Sequence, residues 1–143
     1  MAVVNPYISY NGTCEDAFNF YKAVFGGEFQ GPGFMRWGDN PDCGEMPADQ
    51  KNQVMHVALP IGDTVLMGSD SPMGPVERGN GFTITIGSKD LAESERIFHD
   101  LSDGGTVTMP LQKTFWGATF GMLTDKWGIG WMLNCDDGGG GQQ

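Results

Sequence analysis

The chain has 143 residues, 39% of them hydrophobic and 11% aromatic, a size and composition that suit one folded domain with a real core and exclude wholesale disorder. Eight Lys and Arg stand against 18 Asp and Glu, for a net charge of −10, so the clustered basic residues of a nucleic-acid-binding surface are excluded. No apolar run approaches the roughly 20 residues of a membrane span. The opening Met-Ala-Val-Val-Asn-Pro lacks the charged and apolar regions of a secretion signal. A cytoplasmic protein with no nucleic-acid or membrane partner is expected. The cysteines Cys14, Cys43 and Cys135 form no C-x-x-C pair and are read as reduced, structural thiols.

In chain order, Val3 to Tyr10 reads as a strand, with Pro6 tolerated near its start or on an edge. Asn11-Gly12 turns the chain, and Thr13-Cys14-Glu15-Asp16 resembles a capping box. Ala17, Phe18, Phe20, Tyr21, Val24 and Phe25 recur at helical spacing from Cys14 to Phe25, and Gly26-Gly27 stops that helix. A strand within Glu28 to Trp37 is interrupted by Gly31, Pro32 and Gly33, and Gly38 to Gln53 is a polar loop. Its Asp39, Asp42, Glu45 and Asp49 lack calcium-loop spacing and are read as a solvated acidic surface.

Val54 to Pro60 and Thr64 to Gly68 form a hairpin around Gly62-Asp63. Alternation puts Val54, His56 and Ala58 on one face. His56 is then either a hydrogen-bonded, half-buried side chain or a ligand-contacting or acid–base residue. Ser71 to Asn80 connects two halves. Gly81 to Gly87 is a strand, and a second helix follows with Asp90 and Glu93 as its cap pair and Leu91, Ile97, Phe98 and Leu101 on its apolar side. His99 is read as solvated. Thr106 to Met109 is a short strand after Asp103-Gly104-Gly105. Thr114 to Cys135 is a hairpin about Asp125-Lys126-Trp127-Gly128, dense in aromatics at Phe115, Trp116, Phe120, Trp127 and Trp131. Residues 138–143 form a Gly-rich tail.

The order strand–helix–strand–hairpin occurs twice, over Val3 to Asp70 and over Gly81 to Cys135. The fold class expected is α+β: one domain over residues 1–137, built from two βαβββ modules. Each module's sheet is covered by its helix on one face, and the opposite faces curl around a shared cavity.

That doubled module resembles the vicinal oxygen chelate superfamily of glyoxalase I, bleomycin-resistance proteins and extradiol dioxygenases, and within it the PhnB-like branch catalogued under a 3-demethylubiquinone methyltransferase label. The resemblance rests on Pro6-Tyr7-Ile8-Ser9-Tyr10, Ala17-Phe18, Phe20-Tyr21, Val24-Phe25-Gly26, His56-Val57 and Met67-Gly68-Ser69-Asp70. It continues through Gly81-Phe82-Thr83, Phe115-Trp116-Gly117, Phe120-Gly121, Thr124-Asp125-Lys126, Gly128 and Trp131-Met132-Leu133-Asn134. It implies a homodimer. It also implies, for the enzymes of the group, a divalent metal held by His, Gln or Glu from four strands. The strand positions reached here by counting are Pro6 or Tyr7, Thr83, Leu66-Met67 and Met132-Leu133, which cannot supply such ligands. Neither helix is entered through the Gly-rich turn that a Rossmann-type nucleotide cofactor requires.

The function expected is therefore a protein that binds a small molecule in a metal-free cavity, with no cofactor. In it Phe115, Trp116 and Trp131 stack on the guest, while Ser9, His56, Thr83 and Asn134 orient it. The acidic balance favours a cationic or polar aromatic guest. The alternative is a divalent-metal-dependent lyase, isomerase or dioxygenase, with His56 as its first ligand or catalytic base.

Overall fold

The structure is a computed structural model. It describes residues 2–72 and 74–136, so the tail at 138–143 lies outside the described residues. The chain divides into two compact units, Met1–Glu77 and Arg78–Gln143.

The first unit runs β1 (Tyr7–Tyr10), α1 (Cys14–Phe25), β2 (Met35–Arg36), α2 (Ala48–Lys51), β3 (Val54–Ile61) and β4 (Thr64–Asp70). Its four-stranded sheet has the order β1-β4-β3-β2. β1 lies parallel to β4, with Ile8 beside Gly68 and Tyr10 beside Asp70, and the other pairs are antiparallel. With a side-chain period of two, this register collects Ile8, Tyr10, Val57, Leu59 and Leu66 on one buried face. The apolar stripe of α1 (Ala17, Phe18, Tyr21, Val24) covers that face, as its helical spacing requires. Phe18 packs edge-on against Tyr10 and Tyr21 at 6.1 and 5.4 Å between ring centres. The Tyr10 hydroxyl donates to that of Tyr21 at 2.9 Å, so the two buried phenols satisfy each other.

Gly68 is what lets α1 lie this close. A Cβ there would stand 2.5 Å from Phe18 Cε1 and 2.9 Å from the Ile8 carbonyl oxygen. The start of α1 differs from the capping-box expectation: Thr13 makes no side-chain cap. The donors are met instead by Asp70, 56 residues away from Cys14 in sequence and buried at the end of β4. Its Oδ1 accepts from the backbone N–H of Gly12 and of Cys14, and its Oδ2 accepts from that of Val54, each at 2.9 Å. One carboxylate thus ties the β1–α1 turn, the start of β3 and the end of β4 together. The Cys14 thiol beside it is pushed well above its ordinary pKa, first by burial and then by the negative charges of Asp70 and Glu15. Cys14 is fully buried in the core.

The polar stretch after β2 folds as two single 3₁₀ turns, Trp37–Asp39 and Pro41–Cys43, followed by α2. Trp37 Nε1 donates to the Asp70 carbonyl oxygen at 3.3 Å, which fastens this stretch to the sheet. Arg36 joins it to α1 through Glu15 at 2.9 Å, an exposed pair worth about 0.2–1 kcal/mol.

The second unit repeats the plan with β5 (Ile84–Ser88), α3 (Leu91–Leu101), β6 (Thr106–Lys113), β7 (Thr119–Thr124) and β8 (Gly130–Cys135), in the sheet order β5-β8-β7-β6. Its buried face holds Leu123, Trp131, Leu133 and Cys135 against Ile97, Phe98 and Leu101 of α3. Asp90 caps α3 as expected, with Oδ1 accepting from the Glu93 N–H at 3.2 Å. The hairpin turns where its chemistry predicts, and Asp125 holds it. Oδ1 of Asp125 accepts from the N–H groups of Trp127 (2.9 Å) and Ile129 (3.1 Å), and Oδ2 accepts from Trp131 Nε1 at 2.9 Å.

Four strands differ from expectation, among them β5, which starts at Ile84 rather than Gly81. β1 starts at Tyr7 rather than Val3, although the Pro6 carbonyl still accepts from the Met67 N–H at 3.1 Å. β2 has two residues. β6 runs on through Pro110 to Lys113, because it is an edge strand whose register shifts on both sides of Met109 and leaves a proline tolerable.

Candidate ligand-binding face

In the first unit, the sheet face opposite α1 carries Tyr7 and Ser9 from β1, and Val65, Met67 and Ser69 from β4. His56 and Ala58 come from β3, and Met35 from β2. Alternation along each strand sets them there, and along β1 and from Val65 in β4 the burial pattern agrees, with buried residues on the helix side and exposed or partly exposed ones here, whereas Ala58 of β3 is buried. Met67 is the cross-strand partner of Tyr7, Ser69 that of Ser9, and Met35 that of His56. The β3–β4 register carried one residue further sets His56 beside Ser69.

Tyr7 is 50% exposed and reaches across β4 to His56, 49 positions away. Its Oη lies 3.4 Å from His56 Nδ1, and the two rings are 5.8 Å apart at 32°. The contact occupies Nδ1 and leaves Nε2 with no partner among the described residues. An imidazole edge, a phenol and two serine hydroxyls therefore lie on one surface with two thioethers. These groups can donate and accept hydrogen bonds and can pack on an apolar ring.

In the second unit, the face opposite α3 carries Thr85 and Gly87 from β5, Met132 and Asn134 from β8, and Phe120 and Met122 from β7. Thr83, just before β5, directs Oγ1 at Met132 Sδ, 3.0 Å away. Asn134 pairs across strands with Gly87 and Phe120, and a Cβ at Gly87 would meet nothing within 4 Å. Trp116 stands edge-on to Phe120 at 6.1 Å, and Phe115 stands perpendicular to Trp116 at 5.0 Å. Both belong to the turn from Thr114 to Ala118, where the Thr114 N–H and hydroxyl each donate to the Ala118 carbonyl at 2.8 Å. Phe115 is 97% exposed and Trp116 45%.

The expected site residues are thus divided. Ser9 and His56 share the open face of the first unit, while Thr83 and Asn134, with Trp116 at its margin, belong to that of the second. Phe115 reaches this surface only through Trp116. Trp131 is not on it, which corrects the expectation of a stacking role. Its position in β8 turns it toward α3 with Leu133 and Cys135, and its indole N–H is engaged by Asp125. Tyr7 and Ser69 were not among the expected ligand-binding residues; the signal for Tyr7 is the period of two counted from Ser9, and Ser69 follows from the cross-strand register with Ser9 and His56.

The implied divalent metal does not fit this donor set. Among the described residues, no three His, Cys, Asp or Glu side chains gather. The open faces offer one imidazole together with hydroxyl, amide and thioether groups, where a Zn, Ni, Mn or Fe(II) centre of this kind takes several imidazole and carboxylate ligands.

Two βαβββ units, each with a helix on one sheet face, define a glyoxalase-type fold. A glyoxalase/bleomycin resistance protein/dioxygenase family enzyme from Burkholderia phytofirmans PsJN has the same fold at a TM-score of 0.56, with 14% identity and coverage of 92% of this chain and 98% of that one. The sequence profile of the family described as 3-demethylubiquinone-9 3-methyltransferase matches residues 2–134, and the chain belongs to that family. Protein YjdN of Escherichia coli (strain K12) is 30% identical over 139 residues, 92% of this chain and 93% of its own. Protein PA1353 from Pseudomonas aeruginosa is 41% identical with a TM-score of 0.83, covering 95% of this chain and 98% of that one. A putative 3-demethylubiquinone-9 3-methyltransferase, PhnB protein, from Bacillus cereus shares the fold at a TM-score of 0.75 and 23% identity, covering 94% of this chain and 99% of that one.

Among the described residues, neither of the long helices, α1 and α3, is entered in the Rossmann manner. Both sheets are mixed, and α1 and α3 follow Asn11-Gly12-Thr13 and Lys89-Asp90 rather than a Gly-rich phosphate turn. Among the described residues no helix is long and apolar enough to cross a membrane.

Proposed function

We propose that this protein binds a small molecule on the open sheet face of its first unit, using its own side chains and no resident divalent metal. His56 and Tyr7 are the groups that orient the guest. The observation that carries this reading is the Tyr7–His56 contact, which brings an imidazole and a phenol from distant strands onto a partly exposed face beside Ser9 and Ser69. The donor set supports the metal-free part of the reading, since one imidazole among neutral groups makes a poor first coordination sphere.

Thr83, Asn134, Phe120 and Trp116 give the second unit an open face of similar chemistry, which by itself is a second candidate surface for a small molecule. The working form is a cytoplasmic homodimer.

A ligand-observed NMR screen of small polar and aromatic molecules tests the reading. Compounds that bind the native chain are expected to lose at least about tenfold in affinity to His56→Ala, the loss of one or two good polar contacts. A set of hits whose affinities are the same for the native protein, His56→Ala and Tyr7→Phe would sink it.

A further inference from the structure

The 18 acidic residues make a cationic guest the natural expectation from composition, but the open face does not carry them. On the first unit's strands the positions turned away from α1 include Tyr7, Ser9, Met35, His56, Ala58, Pro60, Val65, Met67 and Ser69, with no Asp, Glu, Lys or Arg among them. The one acidic residue within the paired stretch of this sheet, Asp70, is turned to the helix side and spends both oxygens on backbone N–H groups. Arg36 is held by Glu15 of α1 and by the Asn52 carbonyl.

From this we infer that the guest of the Tyr7–His56 face is an uncharged aromatic molecule with a hydrogen-bonding edge, such as a carboxamide, hydroxyl or carbonyl. The inference rests on the reading of that face as a binding site and adds the chemical class of what it takes.

Two effects oppose each other for a cation. The net charge of −10 attracts it from a distance, but at physiological salt that field is screened within about 8 Å. On contact the cation loses water and meets hydroxyls, thioethers and an aromatic ring, with no carboxylate to pair with, and the desolvation cost wins. An anion meets the same neutral surface and is repelled at long range as well. A neutral ring escapes both penalties. The Met35 and Met67 thioethers suit its edge and face, since sulfur–ring contacts are favourable at about 5 Å. The Tyr7 hydroxyl, the two serine hydroxyls and His56 Nε2 supply both donors and acceptors for its polar edge.

Benzamide, benzoate and benzamidinium have nearly one shape and differ in charge, so they isolate the effect. Each is titrated into the full-length protein at 0.15 M salt, following the His56 ring resonances. Benzamide is expected to bind about tenfold tighter than either ion, the direction set by the cost of burying an unpaired charge. Its shift should disappear in His56→Ala and weaken in Tyr7→Phe. If benzamidinium or benzoate moves the same resonances with equal or higher affinity, the neutral-guest inference is overturned while the binding face stands. If all three leave His56 unmoved up to their solubility limits, the binding face and the inference fall together.

Discussion

Asp70→Ala is expected to lower folding stability by about 3–5 kcal/mol, because it leaves three backbone donors without an acceptor at a buried junction. The donors are the N–H groups of Gly12, Cys14 and Val54, which open α1 and β3. Water can reach Gly12, whereas Cys14 and Val54 are buried, so most of the cost falls on those two. Asp70→Asn keeps one acceptor oxygen but turns an amide N–H₂ toward one of the donors, and should recover less than half of the loss. Urea unfolding reads the change as a lower midpoint at constant slope. Amide exchange should show Cys14 and Val54 losing protection ahead of the second unit. An alanine variant within about 0.5 kcal/mol of the native protein would show that the carboxylate is incidental, since that is the scale of an ordinary surface substitution.

Gly68→Val is the second large effect. Even the first added carbon stands 2.5 Å from the Phe18 ring. Phe18 cannot retreat, being fully buried between Tyr10 and Tyr21. Overpacking of this kind costs about 1–3 kcal/mol for one methylene, and a branched side chain belongs at or above the upper end. Pairing Gly68→Ala with Phe18→Leu should return part of the stability, a coupling visible in a double-mutant cycle. Gly87→Ala is the contrasting case: its added carbon meets only open space, and it should be nearly neutral. Equal losses at Gly68 and Gly87 would contradict the account of close helix packing.

The repeat was readable because both halves use strong local punctuation. Gly26 and Gly27 end α1 at positive φ, and Asp90 caps α3 from its own sequence neighbourhood. What escaped was non-local. The cap of α1 comes from Asp70 at the far end of β4, so the local Thr13-Cys14-Glu15-Asp16 pattern misleads. The length of β6 depends on its being an edge strand, which no window around Pro110 reveals. In the site, aromatic density drew Trp131 into the ligand set, although its parity with Leu133 places it in the core. Parity of the same kind was the missed signal for Tyr7. The neutral-guest inference departs from the cationic half of the charge expectation for a related reason. Net charge is a whole-chain sum, while strand alternation decides which residues a guest meets.

The metal content of the loaded protein tests most directly whether the Tyr7–His56 face works with its own side chains. Purified full-length protein would be equilibrated separately with Zn, Ni, Mn and Fe(II), freed of excess, and analysed for metal per chain. The account predicts retention far below one ion per chain for all four, with no difference between the native protein and His56→Ala. One ion per chain, retained by the native protein and lost with His56, would contradict it and make His56 a metal ligand.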